Sequence, residues 1–279
     1  MERRQVSVCE NAAAGFFTSR LGSLLAAITI LSGLAAGGAI VYDAQEPLGE
    51  FGMFSQLSGG VNNGGVACVP TTAVNSFTYL QNHYGLSGLV SGNPINDINT
   101  LETSAYMKLN PGGGVTLGNW LLGEAKWLGE RTSDFSIFYT DAPPPASVWQ
   151  LIYNELATGS SLKLGLLWQS GNGHAITATG FHFNDADGSG TIDAGETATL
   201  SFIDPWGGLA LTGNLSVLGG NLYMQYSGGA AGGSATAEVI WAMGEEFTAV
   251  PEAGQLAASL LTLTGICAFV ARRRLNRAR

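Results

Sequence analysis

Three residues far apart in the chain have the side chains of a thiol hydrolase. Cys68 lies in Gly64-Gly65-Val66-Ala67-Cys68-Val69-Pro70-Thr71-Thr72, His174 in Gly173-His174-Ala175-Ile176, and Asp204 in Phe202-Ile203-Asp204-Pro205-Trp206. A sulfur nucleophile needs a base to take its proton, and the base needs an acid that fixes its tautomer and orientation. Cys68 is the one cysteine between two hydrophobic ends, since Cys9 and Cys267 fall in the terminal segments. The part between the ends therefore has no internal disulfide, and an exported chain that keeps a single unpaired thiol points to chemistry at that thiol.

The elements that must position these residues are legible around them. Val74, Phe77, Leu80 and Tyr84 recur at helical spacing, which predicts a helix over 69–84, and Pro70 suits its first turn. Cys68 then stands at the helix N-terminus, where free amides and the positive end of the dipole favour negative charge on sulfur. The glycine pair before it allows close approach of a substrate backbone. His174 follows the turn Ser170-Gly171-Asn172-Gly173 and opens a strand-like run over 175–181; residues 199–203 read as the next strand, which returns Asp204 towards the histidine if the pair is antiparallel. His83 is over ~20 Å along the cysteine's own helix, and His182 is ~26 Å along the histidine strand, so neither shares the site.

Gln56…Cys68-Val-Pro-Thr-Thr, Gly173-His174-Ala-Ile-Thr-Ala-Thr-Gly180 and Phe202-Ile-Asp204-Pro-Trp together resemble the papain-like cysteine peptidases of the bacteriocin-leader-processing (C39-like) type, with an echo of the secreted streptococcal immunoglobulin-cleaving cysteine proteases. The resemblance spans most of residues 54–245 and implies a papain-like α+β fold, with a helical part carrying Cys68 and an antiparallel sheet carrying His174 and Asp204. It would make Cys68 the nucleophile, His174 the base, Asp204 the orienting residue and Gln56 an oxyanion donor beside the Cys68 backbone amide. Asn62, six residues before the cysteine, is the alternative donor.

Between the histidine and aspartate strands, residues 185–196 fit the calcium loop of an EF-hand. Asp185, Asp187, Ser189, Asp193 and Glu196 supply side-chain oxygens at loop positions 1, 3, 5, 9 and 12; Thr191 supplies a carbonyl at 7, Gly190 the bend, and Ile192 the apolar residue at 8. Strands flank the loop, so a structural calcium site is expected.

The ends carry an address. Residues 1–44 read as an export signal: Arg3, Arg4 and Arg20 precede an apolar run over 21–41 that ends among small residues. Residues 250–279 begin with Val250-Pro251-Glu252, continue in an apolar stretch over 256–271 and end in a basic cluster, which resembles the PEP C-terminal sorting signal processed by exosortases. Both ends predict an exported protein of the bacterial envelope with flanking membrane helices, an exosortase-type processing enzyme as partner and a peptidase domain over 45–249. Residues 43–250 hold 4 basic and 18 acidic residues, a net charge of −14 that repels nucleic acid. The resemblance implies a peptide or protein substrate, with amide or acyl transfer by the same triad, or a catalytically inactive papain-like surface binding module, as the alternatives. Helices are expected over 117–128 and 147–156, buried strands over 162–168 and 238–243, and a flexible loop over the cleft at 219–233. Trp120, Trp127, Trp149 and Trp168 read as core, and Trp206 as a cleft wall.

Overall fold

The computed structural model describes residues 4–6, 39–140 and 145–247. Runs rich in Thr, Ile, Phe and Leu in the second half of the chain form six strands: β4 (Ser161–Trp168), β5 (Gly173–Asp185), β6 (Thr197–Asp204), β7 (Leu209–Leu218), β8 (Asn221–Tyr226) and β9 (Ala235–Phe247). Each pairs antiparallel with the next, and β9 pairs with both β8 and β4, which closes the sheet into a barrel. Three strands lie outside the ring. β2 (Ile40–Gln45) pairs with residues 180–185 of β5, in line with β4, which pairs with residues 173–178. β3 (Phe135–Tyr139) adds to β9, and β1 (Arg4–Val6) to β3.

Four helices are present among the described residues: α1 (Cys68–His83), α2 (Pro94–Leu101), α3 (Leu117–Gly129) and α4 (Val148–Ala157). Strand β4 is buried on both faces. Leu162, Leu164 and Leu166 join the core with Ile176, Phe202, Leu222, Met224 and the α4 residues Trp149 and Ile152. Its alternate residues face α1 and α3, where the Lys163 ammonium lies over the Phe77 ring.

The papain-like α+β fold expected from the resemblance is overturned. Instead of a helical part set beside an open sheet, six strands close on themselves and only four short helices accompany them. The reason lies in β7 and β8, which provide the closing edge and were not read as strands. Gly219 and Gly220, both at positive φ, form a two-residue hairpin turn between the paired residues Leu218 and Asn221, where a flexible loop was expected. No helix among the described residues is long and apolar enough to cross a membrane. The signal's apolar run up to residue 38 and the sorting segment from residue 250 lie outside the described residues. The strand β2 starts at Ile40, so ordered structure begins a few residues before the expected boundary at 45.

The barrel and helices also enclose a charged cluster. Lys163 on β4 is fully buried, 3.0 Å from Glu124 Oε2 on α3, ion-paired with Glu245 on β9 and 3.4 Å from the Ser76 hydroxyl on α1. The Trp120 indole donates to the other Glu124 oxygen at 2.5 Å. Burial, reinforced by the neighbouring Glu245 charge, pushes the Glu124 carboxyl well above the usual carboxylate range despite Lys163.

Candidate active site

Helix α1 starts at Cys68, as its sequence predicts, and its N-cap Ala67 has no side chain to accept from the first turn. Cys68 is half-buried and free of disulfide. One turn further on, the Thr72 hydroxyl donates to the Ala175 carbonyl at 3.2 Å, and the Thr177 hydroxyl donates to the Thr72 carbonyl at 3.3 Å. These two bonds lace the cysteine helix to the histidine strand next to His174. Asn75 on the same helix accepts from the Phe54 amide at 2.8 Å, and the Gln56 amide donates to the Pro205 carbonyl at 2.7 Å. The glutamine segment is thereby pinned between α1 and the turn after Asp204.

His174 Nε2 is 2.8 Å from Asp204 Oδ1, and Cys68 lies on the same cavity wall, close enough to the imidazole to raise its pKa. Asp204 is completely buried. Oδ1 also accepts from the Trp206 amide at 2.8 Å, and Oδ2 accepts from the Ala230 amide at 2.9 Å and the Tyr226 hydroxyl at 3.4 Å. Burial alone raises an acid, but the His174 partner and these amides outweigh it and hold Asp204 below the usual carboxylate range. Burial likewise works against the imidazolium. The Asp204 hydrogen bond and the Cys68 sulfur override it and lift His174 to about 9.

All of this lies at a cavity of about 870 Å³ lined by Cys68, His174, Gln56, Trp168, Trp206 and Gly112–Gly114, among others. Gln56, one of the two proposed oxyanion donors, is on the cavity wall. Its Nε2 donates to the Gly64 carbonyl at 2.6 Å, and its Oε1 is buried without a hydrogen-bond partner. Asn62 is exposed, with its backbone amide bonded to Asn99, and is not part of the wall. His83 is half-exposed and bonds Glu50 at 2.8 Å; His182 is exposed beside Asp43. Neither belongs to the site. Trp120, Trp127 and Trp149 are core, but Trp168 is half-buried and lines the cavity, a correction to its reading as core. Tyr226 is not among the residues expected at the site; of the 219–233 segment expected over the cleft, Ala230 and Ala231 line the cavity. At Gly229 φ is +53°, and a Cβ there would run into the Asp204 carboxylate, so only glycine lets the Ala230 amide reach Oδ2.

The chain matches no known family description and no curated protein.

At the far end of β5, the loop 185–196 brings ligand oxygens of Asp185, Asp187 and Glu196 within 4.8 Å of one another, so these three could hold a metal ion. The loop is shaped for it. The buried Asp185 carboxylate accepts from the Ser189 and Gly190 amides, and Glu196 accepts from the Ala186 and Asp193 amides. The buried Ile192 anchors the turn in the core. Ser189, Thr191 and Asp193 bond one another through their side chains. The site is ~36 Å from His174, eleven strand residues away at 3.3 Å each.

His174 gives the site a pH signature. Its folded pKa is raised, so the stabilisation it contributes is fully present below the ordinary imidazole range and is lost as pH rises through about 9. The imidazolium needed to protonate a leaving amine disappears over the same range. Peptide-bond cleavage, measured as kcat/KM against pH, is expected to fall on an alkaline limb near pH 9; a profile flat through that pH contradicts the assignment.

Proposed function

We propose that the chain is an exported cysteine peptidase of the cell envelope. The observation that carries this reading is the His174–Asp204 pair at 2.8 Å, with a half-buried cysteine beside the imidazole on the same open cavity wall. Cys68 sulfur adds to the scissile carbonyl carbon, and the carbonyl oxygen becomes an oxyanion beside the Cys68 amide and the second Gln56 amide hydrogen. The C–N bond breaks as His174 gives its proton to the leaving amine, which leaves a thioester. Water then attacks the thioester while His174 takes its proton; the acid departs and the sulfur is regenerated. Asp204 stays ionised and holds the ring throughout. The terminal segments supply the address, with an exosortase-type enzyme as the processing partner. Labelling by a thiol-reactive peptide electrophile is the test. Labelling at Cys68 that is lost in Cys68→Ala and strongly slowed in His174→Ala is expected, and labelling no faster than that of His174→Ala would remove the triad.

The metal of the 185–196 loop we infer to be calcium, from its all-oxygen donors and twelve-residue spacing. A ligand that binds only the folded state at a hundredfold excess over Kd stabilises by about 2.7 kcal/mol, or ~5–10 °C in a domain of this size. Chelation is therefore expected to lower Tm by that amount. Because the loop is remote from His174, the rate of Cys68 alkylation below the melting range should not change. A Tm indifferent to both chelator and added calcium speaks against the ion.

A further inference from the structure

The walls of the Cys68 cavity come from four stretches of an acidic chain that carry no Asp, Glu, Lys or Arg: residues 51–96, 109–123, 164–184 and 205–237. Apart from Cys68 and His174, no side chain on the wall ionises. Two of the stretches meet at the Trp206 end, where the Gln56 amide bonds Pro205 and Gly208 packs on the Met53 carbonyl. There they expose Met53 (44%), Leu57 (50%), Trp206 (38%) and Leu209 (44%), four of the nine large apolar side chains exposed among the described residues. Trp206 belongs to both this rim and the cavity wall, so the apolar surface continues into the reactive cavity. Apolar side chains grouped at the mouth of a pocket mark recognition surfaces.

Building on the peptidase reading, we propose that the site takes an uncharged, extended peptide segment and seats one bulky apolar side chain of it on the rim of Met53, Leu57, Trp206 and Leu209. A charged residue brought there would lose water and find no partner, and an acidic one would also meet the field of the −14 domain. Continuity with Cys68 and His174 favours a peptide over a lipid surface, and the rim has none of the basic residues that hold a protein on anionic lipid.

The test uses the full-length Cys68→Ala protein, which binds without turnover, and three labelled peptides that differ at one position as Leu, Glu or Lys. Anisotropy titration is expected to show the Leu peptide binding at least ~10-fold more tightly than the other two, with little effect of salt. Met53→Ser with Leu209→Ser, both at exposed positions and checked by Tm, should shrink that preference below about threefold. Equal binding of the three peptides overturns the proposal, as does a preference untouched by the rim substitutions. Sedimentation with phosphatidylcholine vesicles that the Met53→Ser and Leu209→Ser substitutions abolish and the Leu peptide cannot displace also overturns it, by assigning the rim to a membrane. The readout is independent of the reaction. A Leu preference without Cys68 labelling sinks the peptidase but keeps the rim, and labelling without preference does the reverse.

Discussion

Asp204→Asn is expected to lower kcat/KM for peptide cleavage on the order of 10³-fold, while Cys68 and His174 stay in place. Both Asp204 oxygens act only as acceptors, two donors to each: His174 and the Trp206 amide to Oδ1, the Ala230 amide and the Tyr226 hydroxyl to Oδ2. An amide NH₂ at this position must face at least one of those donors. If it faces the imidazole, the ring turns or changes tautomer and loses its hold on the proton. If it faces the Gly229–Ala231 turn, the cavity wall shifts. In either case the negative charge that stabilises the imidazolium is gone, so the His174 pKa should drop from about 9 and the alkaline limb of the pH profile should move to lower pH. Steady-state kinetics against pH read both effects. A variant within tenfold of the parent, with an unmoved limb, would show that the aspartate does not orient the histidine.

Lys163→Met carries the largest expected effect on stability. The ammonium faces Glu245 and Glu124 with all three side chains fully buried, so its removal leaves buried acid without a counter-charge. Breaking a buried ion pair by deleting one partner costs about 3–5 kcal/mol, a large part of the 5–15 kcal/mol typical of a folded domain, and ~6–20 °C in Tm. Replacing all three by apolar or amide groups should recover much of that loss. Glu124 adds a dependence on pH. Its folded pKa is raised, so its contribution is fully present below the ordinary carboxylate range and is lost as pH rises through its elevated folded pKa. Melting temperatures followed upward from the ordinary carboxylate range should fall for the parent and flatten for Glu124→Gln. A Lys163→Met protein as stable as the parent would mean that the cluster is hydrated.

Much of the site was legible because each of its residues sits at an element boundary with its own local signal. Helical spacing and Pro70 placed Cys68 at a helix start, glycines marked the strand that His174 opens, and Asp-Pro marked the end of β6. The closed barrel was not legible. Strand β7 does alternate, with Leu211, Leu215 and Val217 inward and Thr212, Asn214 and Ser216 outward, but Leu209 and Leu218 are exposed and Gly213 interrupts the inward set, which blurs the pattern. In β8 the inward set Leu222, Met224 and Tyr226 has period two, but it is short and lies between glycine pairs that read as loop. The flanking Gly219-Gly220 hairpin turn was the signal that could have found it. Tyr226 was missed with its strand, since only closure brings the end of β8 beside the end of β6. Residues 162–168 were legible as a buried strand, but nothing local shows that Lys163 within it is buried too or which acids it meets. The oxygen spacing of the 185–196 loop, by contrast, is local and was read directly.

Strand β2 sets a limit on how far the N-terminal segment can be trimmed. Along residues 180–185 it fills the side of β5 that β4 leaves open, and the Ala44 side chain is buried there. A processing cut that spares Ile40 keeps that ladder shut. Trimming past Gln45 would bare six residues of hydrogen-bonding backbone on the hairpin that holds His174, an invitation to self-association.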